Sequence, residues 1–317
     1  MQAKRTHHAS GTVMGGPWQI RHVPAAHMVP ELVAQAALNA LRLVDAQMST
    51  YRDDSDLLRL NAAPIGVPVP VPADMLTVMA CADRLARQSG GALNIGLGQA
   101  VNRWGFGPLP TPGARPDPRL GAADATLAQL GSYTLHSDPP AVTKHSDIAF
   151  DLCALAKGFA VDQAARAVEA LGITNYLIEA AGEIIARGRN GAGEPWTIGL
   201  ELPVPGDDRI IFDQIALDGM AAATSGNYRN RRTIAGETVS HTIDPNTGEP
   251  LASDLLSVTV LHSACMEADA LATVLTVLGP DQGPRFAQSH GIAALFMIRV
   301  PAGLKEIRSD AFAAQSD

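Results

Sequence analysis

Charged and aromatic side chains are scarce in this sequence. Of its 317 residues, 18% are charged and 4% are aromatic, whereas 46% are hydrophobic. This apolar fraction is enough to bury a sizeable core and excludes extended disorder. Lysine and arginine total 24 against 32 aspartates and glutamates, a formal charge of -8, and no basic run is interleaved with aromatic residues. We therefore expect no nucleic-acid partner, and an anionic ligand would need backbone amides, helix N-termini or a metal ion.

Cysteine is rare, and long apolar runs are missing. Cys81, Cys153 and Cys265 are widely spaced among apolar residues, without a CxxC pair or a Cys/His cluster of zinc spacing. We expect buried thiols and no structural zinc site. No apolar run is long enough for a transmembrane segment, and residues 1–17 lack the apolar h-region of a secretory signal. A cytoplasmic location is therefore expected, or a periplasmic one if a leader has been removed.

Two nucleotide-binding motifs are also absent. No GxGxxG follows a predicted strand, and no GxxxxGK[ST] occurs. Strand patterns are found in residues 134–148 (a hairpin), 175–188, 196–203 and 257–262. Helical periodicity is found in residues 25–48, 74–89 with Asp74 as cap, 152–171 and 267–278 ending at Gly279.

Strands that come in groups between helices predict an α+β fold with largely antiparallel sheets. The glycine- and proline-rich residues 104–118 predict a surface loop. We expect a single domain over residues 1–317, in which residues 105–118 could mark a boundary between two lobes.

Asp269 and Thr273 are four residues apart in a predicted helix, so their side chains lie on one helical face. Two adjacent oxygen ligands suit Mg²⁺, which commonly completes its shell with water and substrate phosphates. The alternative is structural. In that interpretation Glu267 and Asp269 favour the helix dipole, and Thr273 bonds back to a carbonyl.

Three further segments carry polar side chains of chemical interest. His241 precedes a tight turn containing Asp244, and could act as a general base or a phosphate donor. Lys157 follows a predicted helix N-terminus, where amides attract phosphate. Tyr51 lies among polar residues and could stack on a flat ring. Each also has an ordinary structural explanation: a turn, a solvated lysine and a tyrosine packed at a helix end.

Eight ordered segments together resemble the ApbE family of FAD:protein FMN transferases, and the resemblance covers nearly the whole chain. The segments are MGGPW (residues 14–18), MSTYRDDSDLLRLN (48–61), GALNIGLGQAVNRWGFG (91–107), DLCALAKGFAVD (151–162), AAGEIIARG (180–188), ATSGNY (223–228), SHTIDPNTGEP (240–250) and EADALATVLTVLG (267–279).

The resemblance implies a two-lobed α+β protein whose helices flank largely antiparallel sheets around a central flavin cleft. It implies Mg²⁺ on the diphosphate of FAD, and transfer of FMN to a threonine hydroxyl with release of AMP. The threonine would lie in an acceptor segment of the form Asp-x-x-Thr-(Ser/Gly)-Ala-Thr. FAD hydrolysis to FMN and AMP, or flavin binding and assembly without catalysis, remain alternatives.

Individual residues carry over from the resemblance. Asp269 and Thr273 match the metal-binding side chains, and Ala156 matches the residue whose carbonyl completes the metal site. Tyr51 matches the flavin-stacking position. His241, the first candidate for the base, and Asp244 are the predicted catalytic residues. The predicted FAD-binding residues are Met14, Tyr51, Lys157, Gly182, Thr224, Ser225, His241 and Asp244.

The sequence departs from the family pattern in three places. It has Asn94-Ile95-Gly96 for Asp-Pro-Thr, Cys153 for Gly, and Ala181-Gly182-Glu183 for Gly-Gly-Asp. Asn94 cannot act as a carboxylate, so an adenosine or ribose contact made at this position by relatives is not expected in the same form.

Overall fold

A computed structural model of the protein describes residues 5–25, 28–110, 112–204, 210–227 and 231–315. In these ranges the helices are α1 (Pro30–Met48), α2 (Asp56–Ala62), α3 (Ala73–Gln88), α4 (Gly98–Arg103), α5 (Pro118–Leu127), α6 (Cys153–Glu169), α7 (Cys265–Ser289) and α8 (Asp310–Ala313). The strands are β1 (His7–Val13), β2 (Gly16–His22), β3 (Pro68–Pro70), β4 (Tyr133–Ser137), β5 (Pro140–Lys144), β6 (Tyr176–Ala180), β7 (Glu183–Arg187), β8 (Trp196–Glu201), β9 (Ile211–Leu217), β10 (Ala221–Gly226), β11 (Arg231–Ile234), β12 (Glu237–Ser240), β13 (Leu255–His262), β14 (Ala293–Val300) and β15 (Gly303–Arg308).

The main sheet has eight strands in the order β1-β2-β6-β7-β10-β13-β14-β15. Every neighbouring pair in it is antiparallel. Smaller sheets are formed by β3-β5-β4, by β8-β9 and by β11-β12. The predicted α+β fold with largely antiparallel sheets is confirmed.

Both faces of the main sheet are covered. Along β10, Ala221 and Ala223 belong to a large core shared with α1, α6 and α7, whereas Ala222 belongs to a smaller core with Trp196 of β8. Successive side chains of a strand point to opposite faces. Helices α6 and α7 therefore lie on one face of the sheet, and the β8-β9 hairpin lies on the other.

Helices α6 and α7 cross in close contact. A Cβ atom at Gly158 of α6 would lie 2.4 Å from the carbonyl oxygen of Cys265, so only glycine fits there. The Asp162 carboxylate, one turn further along α6, accepts hydrogen bonds from the backbone N–H groups of Cys265 at 2.8 Å and Met266 at 2.9 Å. It thereby caps the N-terminus of α7 and fixes its position against α6.

Two hairpin turns lie side by side at one end of the sheet. Met14 and Gly15 join β1 to β2 with φ of 52° and 73°, and Ala181 and Gly182 join β6 to β7 with φ of 53° and 104°. Positive φ at both central residues is the type I′ geometry that suits the strand twist. The Ala181 N–H donates to the Pro17 carbonyl at 2.8 Å, which ties the two hairpins together.

Several predicted elements need correction. Residues 175–188 were expected to form one strand, but the Ala181–Gly182 turn folds them into β6 and β7. Asp74 does not cap α3, because Pro72 occupies the cap position. Residue Cys153 is exposed, while Cys81 and Cys265 are buried as expected. The helix expected to end at Gly279 is interrupted there (φ 78°, ψ -172°) and then continues to Ser289 as part of α7.

Other predictions are confirmed. The helix expected over residues 25–48 begins at Pro30, the helix expected near residue 152 begins at Cys153, and residues 134–148 contain the β4-β5 hairpin. None of the helices in the described ranges is long and apolar enough to cross a membrane. The single domain and the lobe boundary near residues 105–118 stay predictions.

Candidate functional site

Asp269 is buried where α6 and α7 meet. The residue is 4% exposed. Its Oδ2 atom accepts a hydrogen bond from the Gly158 backbone N–H at 3.0 Å, and the Lys157 ammonium lies 3.9 Å from its Oδ1 atom. Burial raises the pKa of Asp269 to about 6, against the opposing effects of Lys157 and the Gly158 hydrogen bond. The Asp269 carboxylate is therefore desolvated, and a nearby positive charge would stabilise its ionised form.

Thr273 lies on the same face of α7, one turn after Asp269. Its hydroxyl is 3.3 Å from the Ser225 hydroxyl of β10 and 3.4 Å from the Asp269 carbonyl oxygen. The second contact is the hydrogen bond from the Thr273 hydroxyl to a carbonyl of the preceding helical turn, which the structural alternative predicts; at 3.4 Å it is long for a hydrogen bond. The Ser225 and Thr273 hydroxyls thus come together, and Thr273 lies one helical turn from Asp269 on α7, as the spacing predicts.

The structure separates the two predicted residues of β10. The Thr224 hydroxyl is 2.8 Å from the Thr259 hydroxyl of β13, on the face of the sheet that carries β8 and β9. Ser225 points to the other face, towards α7. The Thr224 side chain is therefore not brought to the Asp269–Thr273 pair, because adjacent strand residues alternate between faces.

Lys157 forms an ion pair with Glu183. Glu183 is the first residue of β7, directly after the Ala181–Gly182 turn, and is 2% exposed. It has the same parity along β7 as Ile185, which packs in the core shared with α6. The hairpin turn thus aims the Glu183 carboxylate at α6. Gly182 is brought near the site through this turn, and the neighbouring Met14–Gly15 turn belongs to the hairpin that the Ala181–Pro17 hydrogen bond ties to it.

A second group of side chains surrounds Tyr51. Its hydroxyl donates to the Phe106 carbonyl at 2.9 Å. The Phe106 ring meets the His241 ring edge-on, with centroids 6.3 Å apart, and the Arg232 guanidinium lies 5.7 Å from the Phe106 centroid. Phe106 therefore joins two predicted site residues, Tyr51 and His241, that are far apart in sequence.

Tyr51 and Cys153 lie close enough to interact electrostatically. Tyr51 is 63% exposed, yet desolvation is the largest cause raising the pKa of its hydroxyl, followed by the charges of Cys153 and Asp151. Cys153 is exposed as well, and desolvation followed by Asp151 raises the pKa of its thiol well above the ordinary value. Lys157 follows Cys153 by one turn of α6, which links the residues around Tyr51 to those around Asp269.

Asn227 connects the two groups. It follows the end of β10, is 3% exposed, and accepts hydrogen bonds at Oδ1 from the hydroxyls of Ser240 at 2.6 Å and Thr242 at 3.2 Å. Its own N–H donates to the Leu256 carbonyl at 2.9 Å. The residues on both sides of His241 are therefore fastened to the strand that carries Ser225.

Asp244 forms the turn that the sequence predicts. Its Oδ1 atom accepts from the Asn246 backbone N–H at 2.8 Å and from the Asn246 side chain at 3.1 Å. Gly248 closes the turn with φ 66°, and its carbonyl accepts from the Trp104 indole at 3.1 Å. A Cβ atom at Gly248 would lie 2.2 Å from the Gly121 carbonyl oxygen of α5. The Asp244 carboxylate thus has a structural task, and its catalytic role stays a prediction.

The Asn94 side chain is engaged within the protein. Its amide donates to the Ala128 carbonyl at 2.9 Å, and its Oδ1 atom accepts from the Gly96 N–H at 2.9 Å. An aspartate could not make the first of these bonds. The departure from the family pattern at this position therefore has a local structural reason.

Sequence reasoning missed Phe106, Glu183 and Asn227 as parts of the site. All three lie inside segments that carry the family resemblance, which was the available signal. Apart from the turn beside Glu183, these three residues contact partners that are more than ten positions away in the sequence. The periodicity of neighbouring residues therefore could not reveal them as parts of the site.

The donors around Asp269 fit a hard divalent cation. They are a carboxylate, the Thr273 hydroxyl and, by the family pattern, the Ala156 carbonyl, and oxygen donors of this kind suit Mg²⁺. Ala156 immediately precedes Lys157 and Gly158, which contact Asp269. Across the described part of the chain, no three His, Cys, Asp or Glu side chains form a metal cluster. A cation here would rely on one carboxylate and on oxygen atoms of a substrate.

The fold is that of solved flavin transferases. The flavin transferase ApbE from Vibrio cholerae is 34% identical, with a TM-score of 0.89, over 98% of this chain and 99% of that one. The apo form of the Pseudomonas stutzeri flavinyl transferase ApbE is 32% identical, with a TM-score of 0.90, over 100% of this chain and 98% of that one.

The sequence comparisons agree. A relative in Haemophilus influenzae, named FAD:protein FMN transferase, is 36% identical over 309 residues, which cover 96% of this chain and 89% of the relative. The ApbE family model matches residues 14–296. This chain belongs to the ApbE family.

Proposed function

We propose that this protein transfers FMN from FAD to a threonine hydroxyl of an acceptor protein, with Mg²⁺ at Asp269 and release of AMP. The observation that carries the proposal is the position of Asp269 and Thr273 on one face of α7, where Asp269 is buried against α6, in a chain of the ApbE family. Relatives across this family are named FAD:protein FMN transferase.

The reaction joins the acceptor oxygen to the phosphorus of FMN and breaks the bond from that phosphorus to the AMP oxygen. The proton of the hydroxyl goes to a base, for which the His241 imidazole is the candidate. AMP leaves with the electrons of the broken P–O bond. Bound Mg²⁺ would supply neutralisation of the charge on the diphosphate, which is the main requirement of phosphoryl-type transfer.

Different residues of the chain have separate roles in this reaction. Asp269, Thr273 and the Ala156 carbonyl would hold the cation, and Lys157 adds positive charge beside it. Tyr51 offers an exposed ring on which a flavin can stack, and its hydroxyl is held by the Phe106 carbonyl. Asn227 and Phe106 keep His241 in place. An acidic protein thus binds an anionic dinucleotide through local positive charge.

The acceptor is proposed to present a segment of the form Asp-x-x-Thr-(Ser/Gly)-Ala-Thr. The test is to mix the protein with FAD, Mg²⁺ and a protein bearing this segment, and to measure covalent flavin by mass spectrometry and AMP by chromatography. We expect one FMN per acceptor and an equal amount of AMP. Absence of both products would overturn the proposal, and free FMN formed at an undiminished rate in the presence of acceptor would identify a hydrolase.

The matched variants are Asp269→Asn and Asp281→Asn. Asp281 lies on the same helix but is exposed. Asp269→Asn removes the only carboxylate of the proposed metal site at nearly constant volume, so Mg²⁺-dependent transfer should be lost. Asp281→Asn should transfer FMN at the wild-type rate. Equal activity of the two variants would exclude Asp269 as the metal ligand.

A further inference from the structure

The Lys157 ammonium lies between two buried carboxylates. It is ion-paired with Glu183, which is 2% exposed, and lies 3.9 Å from the Oδ1 atom of Asp269, which is 4% exposed. The Lys157 side chain itself is 32% exposed. One cation thus has two possible partners, and in the structure it contacts Glu183.

The position of Glu183 follows from the chain geometry. Ala181 and Gly182 form a two-residue turn, so Glu183 must pair with Ala180 as the first residue of β7. The alternation of side chains along β7 then directs the carboxylate to the face on which α6 lies. Glu183 cannot reach solvent on this face, and Lys157 is its counter-ion.

We propose that Glu183 is a positioning residue, which holds the Lys157 ammonium away from Asp269 and so keeps that carboxylate available to a divalent cation. The inference rests on the proposed metal role of Asp269. Without the negative charge at position 183, the nearest carboxylate to the ammonium is that of Asp269. A shift of about 1 Å would bring the ammonium from 3.9 Å to the usual distance of a charged hydrogen bond. Lysine would then compete with the cation for the same oxygen.

This role has a signature that a purely structural ion pair lacks. Glu183→Gln should weaken cation binding, and the additional substitution Lys157→Met should restore it, because the competing ammonium is then gone. A charge-assisted hydrogen bond between Lys157 and Asp269 corresponds to about ten- to a hundredfold in the cation's dissociation constant. Glu183→Asp keeps the charge and should bind the cation more tightly than Glu183→Gln.

The experiment measures Mn²⁺ binding by electron paramagnetic resonance without acceptor protein, at an FAD concentration that saturates each variant, because Lys157 is itself a predicted FAD-binding residue. The proteins are the wild type, the variants just described, Asp269→Asn and the control Glu179→Gln. Glu179 lies in the same hairpin, but contacts Gln19 on β2 and has the parity of Leu177, which packs on the opposite face. The control therefore removes the same charge without releasing Lys157. Melting temperatures without metal check that each variant is folded.

We expect weaker Mn²⁺ binding in Glu183→Gln, near wild-type binding in Glu183→Gln/Lys157→Met, and no change in Glu179→Gln. Equal affinity of wild type and Glu183→Gln would overturn the inference and leave the metal site standing. Weakened binding that the double substitution does not restore would also overturn it, since Glu183 would then act by some means other than restraining Lys157. If wild type and Asp269→Asn bind Mn²⁺ equally, the proposed metal role of Asp269 fails, and the inference fails with it.

Discussion

The contact between α6 and α7 can be tested by adding one methyl group. In Gly158→Ala the new Cβ atom would lie 2.4 Å from the Cys265 carbonyl oxygen and 2.8 Å from the Met266 Cα atom. Ordinary contacts begin at 3.4 Å, so the helices must separate by about 1 Å. The obstacle is backbone, which cannot rotate away as a side chain would. The same movement would stretch the 3.0 Å hydrogen bond from the Gly158 N–H to Asp269 beyond bonding range.

Three energy terms decide the sign of the effect. Overpacking of this kind costs about 1–3 kcal/mol, and the lost hydrogen bond to a carboxylate about 1.5–3 kcal/mol. Alanine favours a helix over glycine by about 1 kcal/mol, which offsets part of the loss. The net fall in the free energy of unfolding is thus about 1.5–5 kcal/mol. In a chain of this size, the melting temperature should fall on the order of 3–10 °C.

The assay is thermal unfolding together with FMN transfer. Gly158→Ala should melt earlier and, because Asp269 is displaced, should need more Mg²⁺ for half-maximal transfer. Gly113→Ala is the control, since its φ lies outside the left-handed region and a Cβ atom there meets nothing within 4 Å. If Gly158→Ala had the melting temperature and Mg²⁺ requirement of the wild type, the close contact of α6 and α7 would not be what positions Asp269.

Three further predictions follow from single contacts. Asn227→Ala should lower kcat by about 10- to 100-fold, with a smaller change in the KM for FAD, because the residues that position His241 lose their hydrogen bonds. Steady-state kinetics would show this decrease, and an unchanged kcat would contradict the prediction. Burial, together with the charge of His7, lowers the pKa of His22 below its ordinary value of 6.5. The contribution of neutral His22 to stability should therefore be complete above pH 6.5 and should decrease as pH falls through the folded pKa. Thermal melts from about pH 8 to about pH 5 should show this loss for wild type relative to His22→Gln. Ala181→Gly should raise the free energy of unfolding by about 0.5–1 kcal/mol, since φ of 53° strains alanine, and a lower melting temperature would refute this.

Local patterns predicted much of the fold because the interactions that form its helices and turns are short in sequence. The spacing of apolar residues located α1 and α6, and Gly279 was predicted to end the helix that carries Asp269, at the residue where α7 is interrupted. The same reasoning failed at residues 175–188, where two positive-φ residues replace one strand by a hairpin. Alanine at such a position gives little local warning, since glycine and asparagine are the usual occupants.

The sequence predicted several residues of the candidate site but not the contacts that join them. The four-residue spacing of Asp269 and Thr273 is a property of one helix, and the structure has the two side chains on one face. Thr224 and Ser225 were predicted together because both lie in one segment of the family resemblance. Their separation onto opposite faces of β10 depends on how the strand pairs within the sheet.

By itself, the sequence determined the α+β class, the major helices and the tight turn at Asp244, and its segments carried the family resemblance. Only the tertiary structure decided that Glu183 is paired with Lys157 beside Asp269, and that Asn227 fastens the residues around His241. The physical reason is the distance along the sequence over which each kind of interaction acts. Helix and turn preferences act over a few residues, whereas the charges and hydrogen bonds of the site join strands and helices whose proximity is set by sheet order and by the packing of α6 against α7.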